Sequence, residues 1–327
     1  MLAASIIDHI ASAVAAGGDS ADARKALNEI IKAQKEAAAE AEAAEEVAAA
    51  EREAAAFKTA EKFIVRPNGD EYWVRKLGEH SDVAALRGAR DKGFPIMAYG
   101  PPGTGKTALI EAAYAVDGQQ VHTVQGTGDT ETADFIGGYV QLAGGEFAWH
   151  DGPMLKAMQN GEILYIDEIA LIDPKVMAVV YSVMDGRGEY TVTQNPERGT
   201  VTAQPGFYIV SACNPDAPGA RLSEAILSRF IFQFEVTTDY NLCKRLGVAP
   251  KMVTAAQNMQ RKVEAGELSW SPQTREMLAF RDMSAVFGED FALRNMIAAA
   301  PEISRGEVMS ILARTWGVGN LTALSID

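Results

Sequence analysis

The segment Gly100–Thr107 constrains the fold of this chain more than any other part of its sequence. Its letters, GPPGTGKT, follow an apolar run at residues 95–99 and precede a stretch of good helix formers. Glycines at fixed positions let backbone N–H groups wrap around a phosphate, and a helix that begins directly after them adds a partial positive charge. The sequence therefore predicts a strand, a phosphate-binding loop and a helix in that order, within an α/β fold.

This loop provides the predicted nucleotide-binding residues, which are Gly100, Pro101, Pro102, Gly103, Thr104, Gly105, Lys106 and Thr107. The Lys106 ammonium is expected to neutralise charge on the β- and γ-phosphates, and the Thr107 hydroxyl to bind Mg²⁺. The expected cofactors are therefore ATP and Mg²⁺. A glycine-rich turn without a ligand is the alternative interpretation, and the composition of the chain makes such a chance match rare.

Two neighbouring carboxylates follow a second apolar run, at residues 163–166. Asp167 is expected to hold Mg²⁺, and Glu168 to polarise the water that attacks the terminal phosphate. Acidic residues commonly end strands at a solvent-exposed edge, so this pattern alone says little. After a phosphate-binding loop it predicts nucleotide hydrolysis.

The remaining pattern divides the chain into three predicted parts. Residues 1–62 are expected to form a helical extension, residues 63–238 a nucleotide-binding core with a preceding hairpin, and residues 239–327 a helical lid. The core strands are expected at 95–99, 120–125, 163–166, 207–213 and 231–236. A helix capped by Ser81 or Asp82 should run to Arg90 before the first of these strands.

The N-terminal stretch, residues 21–62, is dominated by Ala, Glu and Lys and has few large apolar residues. A solvated helical stalk or partly disordered linker is one interpretation, and a coiled-coil or partner-docking arm is the other. The net charge of −14 disfavours nonspecific binding of nucleic acid. Two cysteines fit a reducing, cytoplasmic setting, and the sequence lacks an apolar run near the ~20 residues of a membrane helix.

Three pairs of β-prone runs predict hairpins. The first pair, 63–66 and 72–75, flanks an Asn-Gly turn ahead of the core. The second pairs 137–142 with 146–149, and the third pairs 189–193 with 200–203. The last two interrupt the core as insertions, and ordinary surface hairpins are the alternative interpretation.

Together these motifs resemble the AAA+ superfamily from about residue 81 to residue 236. The resemblance implies that the strand at 207–213 ends in a sensor residue, Asn214, which positions the attacking water. An Asn-Pro turn is the alternative interpretation of this residue. It also implies an arginine finger, Arg229, that reaches the nucleotide of a neighbouring subunit, with Arg221 as a second candidate.

The two inserted hairpins resemble those of the MoxR-like and dynein- or midasin-related branch, which includes the cobaltochelatase-type ATPases. This resemblance implies a P-loop NTPase fold, with a three-layer αβα core, a parallel sheet and a C-terminal helical lid. The lid of this branch supplies a sensor arginine. Here Gln273 stands directly after Ser-Pro, so that the nearest available arginine is Arg275. Residues 80–83 fall where related proteins contact adenine, and a helix cap explains them equally well.

The resemblance further implies a ring, expected to be a homo-hexamer, that remodels or assembles a protein client as a chaperone. A protein with a von Willebrand factor A domain is the expected partner class. A nucleic-acid motor is the alternative, and it is disfavoured because the tip at residues 143–145 has no cation and Arg198 is the lone cation at the other tip. A nucleotide-gated scaffold is disfavoured by the presence of Glu168, Asn214 and Arg229.

Overall fold

The computed structural model describes residues 63–115 and 118–326. The chain divides between Thr59 and Ala60, and the described residues all belong to the unit Ala60–Asp327. The predicted N-terminal extension, residues 1–62, lies outside the described residues. Within the described ranges, none of the helices has the length and apolar character needed to cross a lipid bilayer.

The strands are β1 (Phe63–Val65), β2 (Glu71–Trp73), β3 (Lys76–Leu77), β4 (His80–Ser81), β5 (Ile96–Tyr99), β6 (Val121–Gln125), β7 (Gly137–Gln141), β8 (Phe147–Asp151), β9 (Ile163–Asp167), β10 (Glu189–Thr191), β11 (Thr200–Thr202), β12 (Tyr208–Cys213) and β13 (Phe232–Glu235). The helices are α1 (Asp82–Asp91), α2 (Lys106–Ala115), α3 (Thr132–Ile136), α4 (Pro153–Asn160), α5 (Pro174–Met184), α6 (Glu224–Leu227), α7 (Tyr240–Arg245), α8 (Pro250–Glu264), α9 (Thr274–Phe287), α10 (Glu289–Ala299) and α11 (Glu302–Trp316).

The central sheet contains the five strands that the sequence predicts. Its order is β13-β5-β12-β9-β6, and every neighbouring pair is parallel. All five carboxyl ends therefore lie along one edge, where loops after parallel strands usually build a ligand site. The strand that carries Asp167 is separated from the strand before the glycine-rich loop by β12 alone.

The sheet is covered on both faces, because alternate residues of each buried strand point to opposite sides. On β9, Ile163 and Tyr165 pack with side chains of α1 and α2. Leu164 and Ile166 pack on the other face with side chains of α3, α4 and α5. Each of these four side chains is buried, and burial of such a large apolar side chain contributes about 1.5–3 kcal/mol. The predicted three-layer α/β fold is confirmed.

The three predicted hairpins are all present as separate two-stranded antiparallel sheets. β1 pairs with β2, β7 with β8, and β10 with β11. The last two pairs are inserted into the core, one before β9 and the other before β12.

The helices α7 to α11 follow the core and enclose an apolar cluster of their own, in which Met252, Phe280 and Leu293 are buried. The predicted boundary after residue 238 falls in the connection between β13 and α7. The division of the chain into three domains stays a prediction.

Candidate functional site

The carboxyl edge of the sheet brings the predicted site residues into one place. Tyr99, the last residue of β5, is level with Cys213 on β12. Since β12 also pairs with β9, the residues that follow these three strands leave the sheet side by side. The glycine-rich loop, Asn214 and the Asp167–Glu168 pair are therefore neighbours.

Lys106 begins α2 and is almost completely buried. Its Nζ donates hydrogen bonds to the carbonyl oxygens of Gly100, at 2.8 Å, and Pro101, at 2.9 Å. Burial lowers the pKa of the Lys106 ammonium, although the charges of Glu168 and Asp167 act in the opposite direction. An anionic group in the loop would favour the charged lysine, since opposite charges at short distance stabilise each other.

Thr107 and Asp167 provide the oxygen atoms that suit Mg²⁺. The Thr107 hydroxyl lies 3.5 Å from Oδ2 of Asp167. Hydroxyl, carboxylate, phosphate and water oxygens are the ligands that Mg²⁺ prefers, and it is seldom held by a cage of protein side chains alone. The described residues contain no cluster of three or more His, Cys, Asp or Glu side chains with metal-binding geometry. The donor set therefore fits Mg²⁺ that is shared with a nucleotide.

Tyr165 is a polar neighbour of this pair that the sequence did not indicate. Its hydroxyl lies 3.1 Å from that of Thr107, and the ring is buried. Burial raises the pKa of the Tyr165 hydroxyl, and the negative charge of Asp167 raises it further. Tyr165 thus stays protonated and able to donate a hydrogen bond. A tyrosine within an apolar run is usually a core residue, so its role could be found only from the contact.

Glu168 has an unusual backbone conformation. Its φ of 47° and ψ of 42° lie in the left-handed region, and among the described residues it is the one non-glycine with positive φ. Oε2 of Glu168 accepts a hydrogen bond of 3.1 Å from the backbone N–H of Asn214. The carboxylate is therefore oriented by the neighbouring strand, and strained residues of this kind are often functional.

The Asn214 side chain forms a hydrogen bond within its own loop. Its Oδ1 accepts a hydrogen bond of 3.2 Å from the backbone N–H of Asp216, as in an Asn-Pro turn. The backbone of Asn214, rather than its side chain, contacts Glu168. Its predicted action on the attacking water stays a prediction.

A cavity of about 590 Å³ opens at this edge of the sheet. Lys106, Thr107, Asp167 and Glu168 all line it. Its volume lies in the range of small-molecule and cofactor sites, about 300–1,000 Å³. Its other walls come from the first hairpin and the C-terminal helices, and they include Arg66, Trp73, Arg75, Leu242, Leu246, Arg275 and Leu278. The sequence indicated only Arg275 among these seven.

Arg275 reaches the cavity because the first turn of α9 packs on the glycine-rich loop. Its backbone N–H donates to the Gly103 carbonyl at 3.1 Å. Gly103 has φ of 81°, and a Cβ there would lie 3.0 Å from Cβ of Arg275, so glycine is needed for this close approach. Gln273 forms a capping box with Glu276 and fixes where α9 begins. The structure thus places Arg275 beside the loop, while its sensor role stays a prediction.

The two candidates for the arginine finger, Arg229 and Arg221, lie away from this cavity. The Arg229 guanidinium is 4.4 Å from the ring centre of Tyr181 and donates a hydrogen bond to the Ala225 carbonyl. Arg221 is exposed, and its backbone N–H donates to the Ala170 carbonyl. Neither side chain lines the cavity of its own chain. The predicted action of Arg229 on a neighbouring subunit is not tested by one chain and stays a prediction.

Residues 80–83 form the start of α1. The Ser81 hydroxyl accepts a hydrogen bond from the Ala84 backbone N–H at 3.1 Å, which caps the helix as predicted. Asp82 is buried and faces Tyr72 and Arg75 rather than the solvent. The predicted adenine contact of this segment stays a prediction.

Comparison with known proteins identifies the same region. Residues 95–230 match the family model of the AAA domain, dynein-related subfamily. Protein NorQ of Paracoccus denitrificans (strain Pd 1222) is 34% identical over 139 residues, which cover 42% of this chain and 50% of NorQ. An uncharacterized protein of Staphylococcus aureus (strain USA300) is 36% identical over 162 residues, which cover 47% of this chain and 60% of that protein.

The matched regions thus cover 50% and 60% of these two relatives, so that each extends well beyond the similarity. Among solved structures, a candidate ATPase from Cytophaga hutchinsonii is 15% identical with a TM-score of 0.42, covering 73% of this chain and 89% of that one. At that level of similarity the fold assignment rests on the sheet and the loop described above. The match over residues 95–230 contains both the glycine-rich loop and the Asp167–Glu168 pair, so this part of the chain is similar to the AAA domain of the dynein-related subfamily.

Proposed function

We propose that this protein binds Mg-ATP in the cavity at the carboxyl edge of its sheet and hydrolyses it. One observation carries the proposal: Lys106, Thr107, Asp167 and Glu168 line a single cavity. These four residues supply a cation for phosphate, two oxygen ligands for a metal and a carboxylate for water. A fold alone would not specify this chemistry, whereas the site does.

The residues of the cavity have separate tasks. The loop N–H groups and Lys106 bind the phosphates, and in doing so the lysine exchanges its carbonyl partners for phosphate oxygens. Thr107 and Asp167 would hold Mg²⁺, which when bound neutralises charge on the phosphate oxygens. Glu168 accepts a proton from the attacking water, and the Asn214 N–H keeps its carboxylate in one orientation. The apolar side chains of the cavity offer a surface for the base.

Mutations of two lysines test nucleotide binding. Lys106→Ala should abolish ATP binding, measured by isothermal titration calorimetry, because it removes the buried phosphate cation. Lys251→Ala is the matched control, since Lys251 is exposed on α8 and distant in sequence from the loop. Equal ATP affinity of Lys106→Ala and the wild type would refute the proposal.

Mutation of Glu168 tests turnover. Glu168→Gln should bind ATP with wild-type affinity and release phosphate at less than about one hundredth of the wild-type rate, the usual range for loss of a general base. A variant with wild-type turnover would exclude Glu168 as the base and leave the binding site intact.

The action on a client is proposed from the exposed side chains of the β7–β8 hairpin. Tyr139, Val140, Leu142 and Phe147 are exposed, and Phe147 reaches 66%. Contiguous exposed apolar side chains often mark sites of protein interaction. We propose that a homo-hexameric ring uses this hairpin to remodel or assemble a protein client, with a von Willebrand factor A domain protein as the partner class. The family resemblance supports this choice of ring and partner.

Capture of the client would test this part of the function. The Glu168→Gln variant, loaded with ATP, should retain its client through purification. Leu142→Ser combined with Phe147→Ser should lose that client and keep wild-type ATP turnover. Joint loss of turnover and folding in the double variant would instead show that these side chains stabilise the fold rather than bind a client.

A nucleic-acid motor is the competing function. Arg198, the cation at the tip of the other inserted hairpin, is already paired, since its guanidinium donates to the Asp151 carboxylate at 2.9 to 3.2 Å. A paired arginine offers little to a phosphate backbone. Stimulation of ATP turnover by single-stranded DNA or RNA at physiological salt would favour the competing function.

A further inference from the structure

Arg75 connects the segment before the core to the glycine-rich loop. It follows β2, and its side chain is only 11% exposed. The guanidinium Nη1 donates a hydrogen bond of 3.1 Å to the carbonyl oxygen of Thr104, which is 29 residues away. The same side chain lines the cavity. The sequence motifs do not include this arginine, and the family comparison begins after it, at residue 95.

The guanidinium is fixed from its other side by two buried groups. Its Nε donates to the Tyr72 hydroxyl at 3.1 Å and lies 3.5 Å from Oδ2 of Asp82. The Tyr72 hydroxyl donates to the same carboxylate. Oδ1 of Asp82 accepts from the backbone N–H of Arg75 at 3.1 Å, which ties main chain and side chain to one group. Asp82 and Tyr72 are both buried, so the position of Arg75 is set by the fold.

The contact with Thr104 determines the direction of a second group. The Thr104 carbonyl and the Gly105 N–H belong to one trans peptide plane and point in opposite directions. Gly105 has φ of 92°, so its backbone occupies a conformation that a residue with a side chain rarely adopts. An arginine that holds the Thr104 carbonyl in one direction therefore also fixes the direction of the Gly105 N–H. Loop N–H groups directed inward are the donors that cradle the α- and β-phosphates.

We infer that Arg75 is a positioning residue for phosphate binding, which it favours by orienting the Thr104–Gly105 peptide before the nucleotide arrives. The inference rests on the proposed nucleotide site and adds a residue to it. Arg75 acts through the peptide, whereas a direct contact with the terminal phosphate is the competing role for a cavity-lining arginine. The two roles differ in a measurable way. ADP retains the α- and β-phosphates, so a misdirected Gly105 N–H weakens ADP and ATP equally, whereas loss of a terminal-phosphate contact weakens ATP alone.

The substitution Arg75→Lys tests the inference with little risk to folding. Lysine keeps a positive charge beside Asp82, but its single ammonium does not bridge partners on two sides as the guanidinium does. One hydrogen bond to a charged group is worth about tenfold or more in affinity. We expect the dissociation constants of ADP and of a non-hydrolysable ATP analogue, both with Mg²⁺, to rise by a similar factor of about ten. Isothermal titration calorimetry measures both.

Two control variants separate positioning from stability. Arg198→Lys changes a partly buried arginine outside the cavity, one that pairs with Asp151 instead of the loop. Tyr208→Phe removes a buried hydroxyl that donates to the Phe94 carbonyl, outside both the cavity and the Arg75 network. Both should keep their nucleotide affinities within about twofold of the wild type. Tyr208→Phe should lower the unfolding temperature without nucleotide, because a purely structural role changes stability and not affinity.

A further variant changes the carboxylate that holds the Arg75 guanidinium. Asp82→Asn leaves the cavity wall unchanged and weakens the hold on the guanidinium, so both dissociation constants should rise by a smaller factor, about threefold. Unchanged ADP and ATP-analogue affinities in Arg75→Lys would overturn the inference, and so would a loss confined to the ATP analogue. If the wild-type protein bound neither nucleotide, the proposed function itself would fail, a result distinct from either of these.

Discussion

The left-handed backbone conformation of Glu168 predicts an effect on stability that is independent of its proposed role as a general base. The residue has φ of 47° and ψ of 42°, and its Oε2 accepts a hydrogen bond from the Asn214 N–H. Replacement by alanine or by glycine removes that hydrogen bond equally. The two variants therefore differ in how each residue tolerates the backbone conformation and in the freedom of the unfolded chain, so that their comparison reports the strain at this position once the second effect is subtracted.

The size of the difference follows from two opposing effects. An alanine in the left-handed region costs about 1–2 kcal/mol, which a glycine does not pay. Glycine has greater freedom in the unfolded chain, and this favours alanine by about 0.4–1 kcal/mol. The Glu168→Gly variant should therefore be more stable than Glu168→Ala by roughly 0.5–1 kcal/mol. Both variants should bind ATP and fail to hydrolyse it.

Urea unfolding of the two variants without nucleotide measures this difference from the transition midpoints, provided that the slopes are equal. Lys156 supplies the matched control, because it is exposed within α4, where helical backbone favours alanine over glycine by about 1 kcal/mol. The order of stabilities should therefore reverse between the two positions. A Glu168→Ala variant as stable as Glu168→Gly would refute the presence of strain at Glu168.

Three further predictions concern residues around the site. Tyr165→Phe should raise the Mg²⁺ concentration needed for half-maximal turnover and leave ATP affinity without Mg²⁺ unchanged, because the lost hydroxyl contacts the metal-binding threonine; an unchanged Mg²⁺ requirement would contradict this role. Partial burial raises the pKa of Asp151, but hydrogen bonds from Arg198, Gln159 and Trp149 outweigh it and lower that pKa. The pair therefore stabilises the fold above the usual aspartate pKa, and its contribution is lost as the pH falls through the lowered one. Arg198→Ala should destabilise the protein by about 1 kcal/mol at neutral pH, and urea unfolding should show this difference beginning to shrink below about pH 4 and shrinking further as the pH falls through the lowered pKa; a difference that stays constant as the pH falls would exclude the ion pair as its source. Arg229→Ala should bind ATP and hydrolyse it about 10³-fold or more slowly, and rings mixed from Arg229→Ala and Glu168→Gln subunits should recover turnover if the finger acts between subunits. Mixed rings, verified by mass, without such recovery would indicate a local structural role.

The sequence by itself determined the features that depend on residues close together along the chain. Glycines spaced for a loop, an apolar run that ends in two carboxylates and an Asn-Gly turn between β-prone runs are local patterns, and each specifies its own backbone geometry. The five strands and three hairpins were predicted on this basis and are present. The sequence likewise indicates Lys106, Thr107, Asp167 and Glu168 as site residues, and all four line one cavity because a parallel sheet places the carboxyl ends of its strands on one edge. Their roles in nucleotide binding and hydrolysis stay predictions.

Tertiary structure alone decided which other side chains reach that edge. Arg75 contacts Thr104 across 29 residues, and it does so because Asp82 is buried beneath it and fixes its direction. Tyr165 lies on the same face of the sheet as Ile163, and this face is the one that packs against the helix of Thr107. The apolar run at residues 163–166 does not determine which of its two faces packs against that helix. Contacts of this kind depend on how separate elements pack, and packing is set by burial summed over many residues, which no short segment of sequence encodes.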